Sequence, residues 1–436
     1  MLQNHEFYRR TIDKQTWILY AITVLDELIR LIQLYAAYDA AARRESMKIL
    51  ITSDWYVPTV NGVVTSVVNL QRGLEAMGHE VRILTLSQSA HSWTEGPVTA
   101  IGAIGAGRIY PGARLRTAPG TELLQELVAW RPDIIHTQCE FSTFLIARKL
   151  SALTGAPMVH TYHTMYEDYT HYFSPSRRWG RKAVSVFSRW VVNQTACVIA
   201  PTVKVRRLLE GYQVSRPIHV IPTGIDLSRF SRPVDEIQMS VLRRSLGIPQ
   251  DAFVMVYVGR LAEEKNISEL LYQTAALSGD NVRLLLVGDG PYRGALESQV
   301  QALGLTERVI FAGMVPPAQV ADYYRLGDVF VSASSSETQG LTYLEALASG
   351  LPALCRRDEC LEGVIRDGIN GWQYQDSAQF RRRLQQLMDD PSMRKELGRN
   401  AAELAQRAFS YQAFAAAAEA VYQQVLGLHP SSAGAA

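Results

Sequence analysis

The stretch SSSETQGLTYLEALASG, Ser334 to Gly350, carries two glutamates, Glu337 and Glu345, with seven residues between them. Glu337 stands in a run of small polar residues ahead of Gly340, and Glu345 inside an apolar run of helical character. Gly340 permits a tight turn, a helix is expected to begin at Leu341, and Gly350 with Pro352 is expected to end it. A helix N-terminus offers free backbone N–H groups and partial positive charge, which suits phosphate. A ligand lying over that start could meet both carboxylates, one accepting from sugar hydroxyls and the other from a ribose. A helix-start glutamate beside an unrelated exposed one would give the same letters.

VGRLAEEKN follows a β-type run and brings Arg260 and Lys265 to a strand-to-helix turn. A planar fork beside a point cation suits a diphosphate, and the position at a strand end favours that reading over two solvated charges. In SDWYVPTVNGVV, Gly62 lets backbone approach something at a helix start. VGDGPYRG spaces Gly288, Gly290 and Gly294 one residue off the dinucleotide fingerprint and lies in the second half of the chain, so a tight turn is expected and a nicotinamide cofactor is not. HTYHTMYEDYTHY is dense in His, Tyr and acid; His163 directly follows a strand, and Tyr166, Glu167 and Asp168 are candidate acceptor contacts. Glu167 and Asp168 could equally be a base or helix-start charges.

These segments need a scaffold that gathers strand ends. From Met47 onward, β-rich runs (KILITS, VRILTL, DIIHTQ, MVHTYH, CVIAPT, IHVIPTG, then VMVYVGR, VRLLLVGDG, VIFAGM, VFVSAS, PALC) alternate with helical patterns. Continuous Val/Ile/Leu strands alternating with helices mean parallel sheets covered on both faces. The expected fold is α/β, with two Rossmann-like domains facing across a cleft. The expected boundaries are an amphipathic helical extension over 1–46, an acceptor- and membrane-facing domain over 47–224, a donor domain over 225–408, a helix over 409–428 returning to the first domain, and a flexible tail over 429–436. Ligands in such sheets bind outside the carboxyl ends of the strands, which puts one site in the cleft.

The bulk numbers agree with this and exclude other classes. A chain of 436 residues, 47% hydrophobic, is too long for one comfortable core. A net charge of +2 gives no global field for nucleic acid. Four scattered cysteines, Cys139, Cys197, Cys355 and Cys360, form neither a disulfide framework nor a zinc ribbon, which suggests a reducing, cytoplasmic setting. The most apolar stretch, Trp17 to Tyr38, is interrupted by Asp26, Glu27 and Arg30 and reads as an amphipathic helix, either an accessory element or an interfacial one. SRRWGRKAVSVFSRWVVNQ, Ser176 to Gln194, reads as a second amphipathic helix: Arg178, Arg181, Lys182, Ser185 and Arg189 on one face, Trp179, Ala183, Val186, Phe187, Trp190 and Val191 on the other. It is either a domain helix with a solvated face or a surface for anionic lipid.

Taken together these segments resemble the retaining family-4 glycosyltransferases of GT-B architecture, over about Met47 to Leu428 and in the family order. The resemblance implies a donor signature in Glu337 and Glu345, a diphosphate clamp in Arg260 and Lys265, and a first glycine loop around Gly62. It also implies a cleft histidine, His163, beside the transferred sugar, and donor contacts at Gly340 and Leu341. Within that family HTQCEFSTF, TYHTMYEDYTHY and SETQGLTYLEALASGLPALCRRDECLEGVI look like the bacterial diacylglycerol glucosyltransferases. That likeness implies transfer of glucose from UDP-glucose to diacylglycerol without a metal, by an enzyme peripheral on the inner face of the cell membrane, with UDP-sugar, diacylglycerol and an anionic membrane surface as partners. Residues 1–46 have no counterpart in the pattern, and ALCRR, with Cys355, Arg356 and Arg357, departs from it. Another sugar, another acceptor or a non-catalytic nucleotide-sugar-binding relative would keep much of the same pattern.

Overall fold

The computed structural model describes residues 46–428 apart from 60, 106–113, 117–120, 168–176, 231, 233–234, 280 and 336. Asp168, the Trp17–Tyr38 stretch and the 429–436 tail lie outside the described residues.

The first half runs β1 (Lys48–Thr52), α1 (Gly62–Ala76), β2 (Glu80–Leu86), β3 (Trp93–Glu95), β4 (Val98–Ile101), β5 (Ala103–Gly105), β6 (Arg114–Arg116), α2 (Thr121–Trp130), β7 (Ile134–Thr137), α3 (Ser142–Thr154), β8 (Met158–Thr161), α4 (Arg177–Asn193), β9 (Cys197–Ala200), α5 (Val203–Gly211) and β10 (Ile218–Val220). The second runs α6 (Glu236–Ser245), β11 (Phe253–Val258), α7 (Ile267–Ala275), β12 (Val282–Val287), α8 (Arg293–Ala302), β13 (Val309–Gly313), α9 (Val320–Arg325), β14 (Val329–Ser332), α10 (Leu341–Ala348), β15 (Ala353–Arg356), β16 (Gly371–Tyr374), α11 (Ser377–Asp389), α12 (Pro391–Ala408) and α13 (Tyr411–Val425).

Two sheets result. The first has the order β10-β9-β8-β7-β1-β2-β4-β3, parallel except for the β3–β4 edge. The second has the order β13-β12-β11-β14-β15-β16 and is parallel throughout. The strands are uniformly apolar because both faces are covered: every residue of β11 is buried, and Leu284, Leu285 and Leu286 of β12 are fully so. In each sheet the winding reverses next to the first strand, between β1 and β7 in one and between β11 and β14 in the other. Crevices at the carboxyl ends of strands open at such reversals, so Gln138, which follows β7, and Gly259–Arg260, which follow β11, are at the switch points.

From Lys48 onward the chain packs as one unit. The last helix, α13, lies on α1 of the first half. Gly73 makes that approach possible, since a Cβ there would stand 2.4 Å from the Ala415 Cβ. The Arg72 guanidinium stacks 4.7 Å over the Tyr411 ring, and the Tyr422 hydroxyl reaches His136 Nδ1 at 2.6 Å beneath the first sheet. Several elements were not anticipated from sequence: the short β3–β4 and β5–β6 pairs, β16, and helices α6, α11 and α12.

The amphipathic reading of α4 needs correction. The face that packs inward carries Val184, Ser188, Val191 and Val192, whereas Trp179 is 71% exposed, Val186 51% and Trp190 42%. Most of the expected apolar face therefore looks outward. The ALCRR departure is structural in part: Cys355 is fully buried in the second core, and Arg356 pairs with Glu269 at 2.8 Å.

Candidate active site

A cavity of about 500 Å³ lies between the two sheets, within the usual size range for a small-molecule site. Gly62, His163, Arg260, Lys265, Glu337, Gly340 and Leu341 all line it, drawn from both halves of the chain.

Two helix N-termini open onto it. Asn61 caps α1 through Oδ1, which accepts from the Val64 N–H at 2.8 Å. Gly340 stands before α10 with φ of +72°, a left-handed backbone that explains the glycine. A Cβ at Gly62 would meet only Leu341 Cδ1, at 4.0 Å. The glycine is thus not forced by a protein neighbour, and its bareness leaves room between the two helix starts. Their unsatisfied N–H groups and dipoles give the space a positive potential.

The cations are held differently. Lys265 is 17% exposed in its side chain and donates from Nζ to Glu337 Oε1 at 2.7 Å. Arg260 is half exposed and pairs with Glu264 one turn on, and its backbone carbonyl accepts from the Tyr257 hydroxyl at 3.2 Å. Lys265 is therefore the preorganised charge and Arg260 the more solvated one. Glu337 reaches the cavity already bonded to Lys265, and among the described residues its second oxygen meets no partner, so it can meet hydroxyls.

Glu345 is not among the cavity-lining residues. It sits one turn into α10, where Oε2 accepts from the Tyr324 hydroxyl at 2.9 Å. Burial pushes its carboxyl up to about 7, against the smaller opposing pulls of the Tyr324 bond and Arg229. His163 lines the cavity and is 2.6 Å from Gln138, Nε2 to Oε1. Burial, with His160 adding to it, drives its pKa down to about 3, so the ring is neutral at working pH. With the Gln138 amide oxygen as partner, Nε2 carries the proton and Nδ1 is the acceptor.

Of the expected acceptor residues, Tyr166 donates to Glu140 Oε2 at 2.5 Å, and Glu167 accepts from the Tyr212 hydroxyl at 2.8 Å. Both stand outside the lining of the cavity.

Sequence reasoning missed the residues that join the two halves over the glutamate loop. Lys204, in α5, donates to the carbonyls of Ser335 at 3.0 Å and Glu337 at 3.2 Å, and to both oxygens of Asp358 at 2.9 Å. Thr202 Oγ1 donates to the Thr338 carbonyl, and the Gln339 amide makes a reciprocal pair with the backbone of Thr223. In PTVKVRRLLEG nothing separates Lys204 from its basic neighbours; only its place one turn past a strand end hinted at a site.

The space is charged and partly enclosed, with two helix N-termini and a fixed ammonium that can meet an anion, and one carboxylate, Glu337, that can accept from hydroxyls. The chain matches the family model described as Glycosyltransferase Family 4 over residues 60–229 and that described as Glycosyl transferases group 1 over 238–404. An alpha-monoglucosyldiacylglycerol synthase of Streptococcus pneumoniae is 37% identical over 75% of each chain. A protein of the same description from Acholeplasma laidlawii is 32% identical over 87% of this chain and 98% of its own.

This chain is a family-4 glycosyltransferase.

Solved relatives show that the glycosyltransferase has the GT-B fold. Sucrose-phosphate synthase of Thermosynechococcus elongatus superposes with a TM-score of 0.68 at 24% identity, over 88% of this chain and 100% of that one. Anabaena HepE, solved with UDP and glucose, gives 0.66 at 18% over 87% and 100%. Among the described residues of the glycosyltransferase, no helix is long and apolar enough to cross a membrane, and no group of His, Cys, Asp and Glu is arranged to hold a metal ion.

Proposed function

We propose that this glycosyltransferase moves glucose, with retention of configuration, from UDP-glucose to the free hydroxyl of diacylglycerol, forming monoglucosyldiacylglycerol. The observation that carries the reading is the convergence of Lys265, Arg260, Glu337 and the starts of α1 and α10 on one cavity. The relatives named for this product and the HepE complex with UDP and glucose support the choice of acceptor and donor.

Breaking the anomeric carbon–oxygen bond leaves negative charge on the departing UDP. Lys265, backbone near Gly62 and the N–H groups at Gly340–Leu341 are aimed at that charge before the reaction begins, which is what makes such groups effective, and Arg260 adds its charge on leaving Glu264. Glu337 holds hexose hydroxyls and neutral His163 orients the sugar beside the anomeric centre, while Glu345, which stands outside the lining of the ligand-free cavity and is bonded to Tyr324, is assigned the ribose. The acceptor hydroxyl attacks from the face that UDP leaves, and the departing phosphate takes its proton. Since fixed cations and amides carry the leaving-group charge, turnover is expected to survive a chelator.

A donor–acceptor matrix tests the reading: UDP-glucose, UDP-galactose and GDP-mannose against diacylglycerol micelles, with chelator present. Product from UDP-glucose alone is expected; a preference for another donor, or no lipid product, overturns the assignment of sugar or acceptor.

The assigned role of Glu345 carries a pH signature. Ribose hydroxyls donate, so they favour the ionised carboxylate. With a pKa of about 7 in the free protein, binding must release a proton below that pH. UDP-glucose affinity is expected to rise about tenfold from pH 6 to pH 8, with proton release visible by calorimetry in two buffers, and Glu345→Gln is expected to flatten the profile. The same raised pKa means that ligand-free stability from this group is present below the ordinary carboxylate range and is lost as pH rises through about 7.

A diacylglycerol acceptor stays in the bilayer, so the enzyme works as a peripheral protein on the inner membrane face. The exposed cations of α4, Arg178, Arg181 and Lys182, favour anionic headgroups. Binding to anionic vesicles is expected to weaken with added salt, and equal binding to neutral vesicles would remove the electrostatic part.

A further inference from the structure

We propose that the outward face of α4 is an acyl-chain seat, and that Phe141 and Tyr166 lead from it to the catalytic cavity. The inference rests on the diacylglycerol reading above and assigns the residues that would hold the acceptor's tail.

Three observations carry it. Trp179, Ala183, Val186, Phe187 and Trp190, all on α4, line a shallow trough open to solvent, with Lys182 at the rim. Soluble proteins seldom leave aromatic surface this contiguous without a use for it. The rim is cationic: Lys182 lies 6.0 Å above the Trp179 ring, Arg148 lies 5.2 Å above the Trp190 ring, and Arg178 and Arg181 are exposed, with Glu167, 3.5 Å from Arg181, the facing acid. Apolar floor under basic and Trp rim matches the boundary between acyl chains and anionic headgroups.

The trough also continues toward the site. Phe187 stacks on Phe141 at 5.7 Å, and Phe141 meets Tyr166 edge-on at 5.9 Å. Tyr166 bonds Glu140, two residues beyond Gln138, which holds His163. Phe141 is 43% exposed, so among the described residues the line leaves the trough over open apolar surface before it reaches half-buried Tyr166 and buried Glu140 and Gln138. A protein partner seated on α4 would cover that line, whereas a lipid tail uses it. The tail lies on α4 while the glycerol hydroxyl passes Tyr166 to His163.

The test uses the full chain in neutral mixed micelles, where surface charge does not select. Val186→Asp puts a carboxylate on the trough floor at a half-exposed position. The expected result is a KM for dioleoylglycerol about tenfold higher, with the KM for UDP-glucose and kcat/KM for dihexanoylglycerol within twofold of wild type. Ser185→Asp adds the same charge beside the trough and is expected to leave all three within twofold. Equal losses on long and short acceptors, or no loss on either, overturn the seat. Tryptophan quenching by diacylglycerol with brominated acyl chains reads the seat without turnover: strong quenching in wild type and at most half of it in Val186→Asp supports it, and equal quenching overturns it. Quenching that behaves as expected in an enzyme that glucosylates neither acceptor refutes the proposed reaction and leaves the seat standing.

Discussion

Replacing Lys265 by alanine is expected to lower kcat/KM for UDP-glucose by about 10²- to 10³-fold, the cost of removing one preorganised donor from a developing anion, about 3–4 kcal/mol. The magnitude follows from how Lys265 is held. Its ammonium is largely withdrawn from water and fixed by Glu337 at 2.7 Å, so little reorganisation is needed when the diphosphate charge grows. Removing it also leaves Glu337 facing the donor without its cation, which adds like-charge repulsion against the phosphates. Arg260→Ala is expected to cost less, because that guanidinium is half exposed and shared with Glu264. Steady-state kinetics beside thermal melts distinguish the outcomes. A Lys265→Ala enzyme that melts like wild type and loses less than tenfold would refute the role given to the ammonium.

Lys204→Met is expected to raise the KM for UDP-glucose more than tenfold although Lys204 does not line the cavity. Its side chain is 16% exposed and that of Asp358 5%, so methionine leaves a buried carboxylate without its cation. Breaking such pairs costs about 3–5 kcal/mol. The loss is divided between global stability and opening of the lobes, because Lys204 belongs to the first half and its acceptors, Ser335, Glu337 and Asp358, to the second. The Glu337 loop would lose its charged tie to the facing lobe and keep those from Thr202 and Thr223. Asp358→Asn and the double variant complete a cycle, and the double is expected to be less impaired than the sum of the singles. A lower melting temperature with an unchanged KM would make Lys204 a structural strut only.

The sequence by itself determined the α/β class and the strand–helix alternation, because parallel strands covered on both faces must be continuous apolar runs such as VMVYV and RLLLV, and helices betray themselves by periodicity. It also determined which short segments end at strand termini, and therefore that Gly62, His163, Arg260, Lys265 and Glu337 belong to loops able to meet. Local turn chemistry did the same for Gly340, whose left-handed backbone marks the helix start. What only the tertiary structure decided was pairing across distance. Lys265 bonds Glu337 seventy-two positions away, Lys204 reaches Asp358 one hundred and fifty-four away, and Gln138 fixes His163. Glu345 turned to Tyr324, and the aromatic face of α4 turned to solvent rather than to the core. Periodicity reports that a helix has an apolar face but not what stands opposite it, and a lone charge has no signature of its partner. Both depend on how two sheets, folded from distant runs of chain, come to face one another.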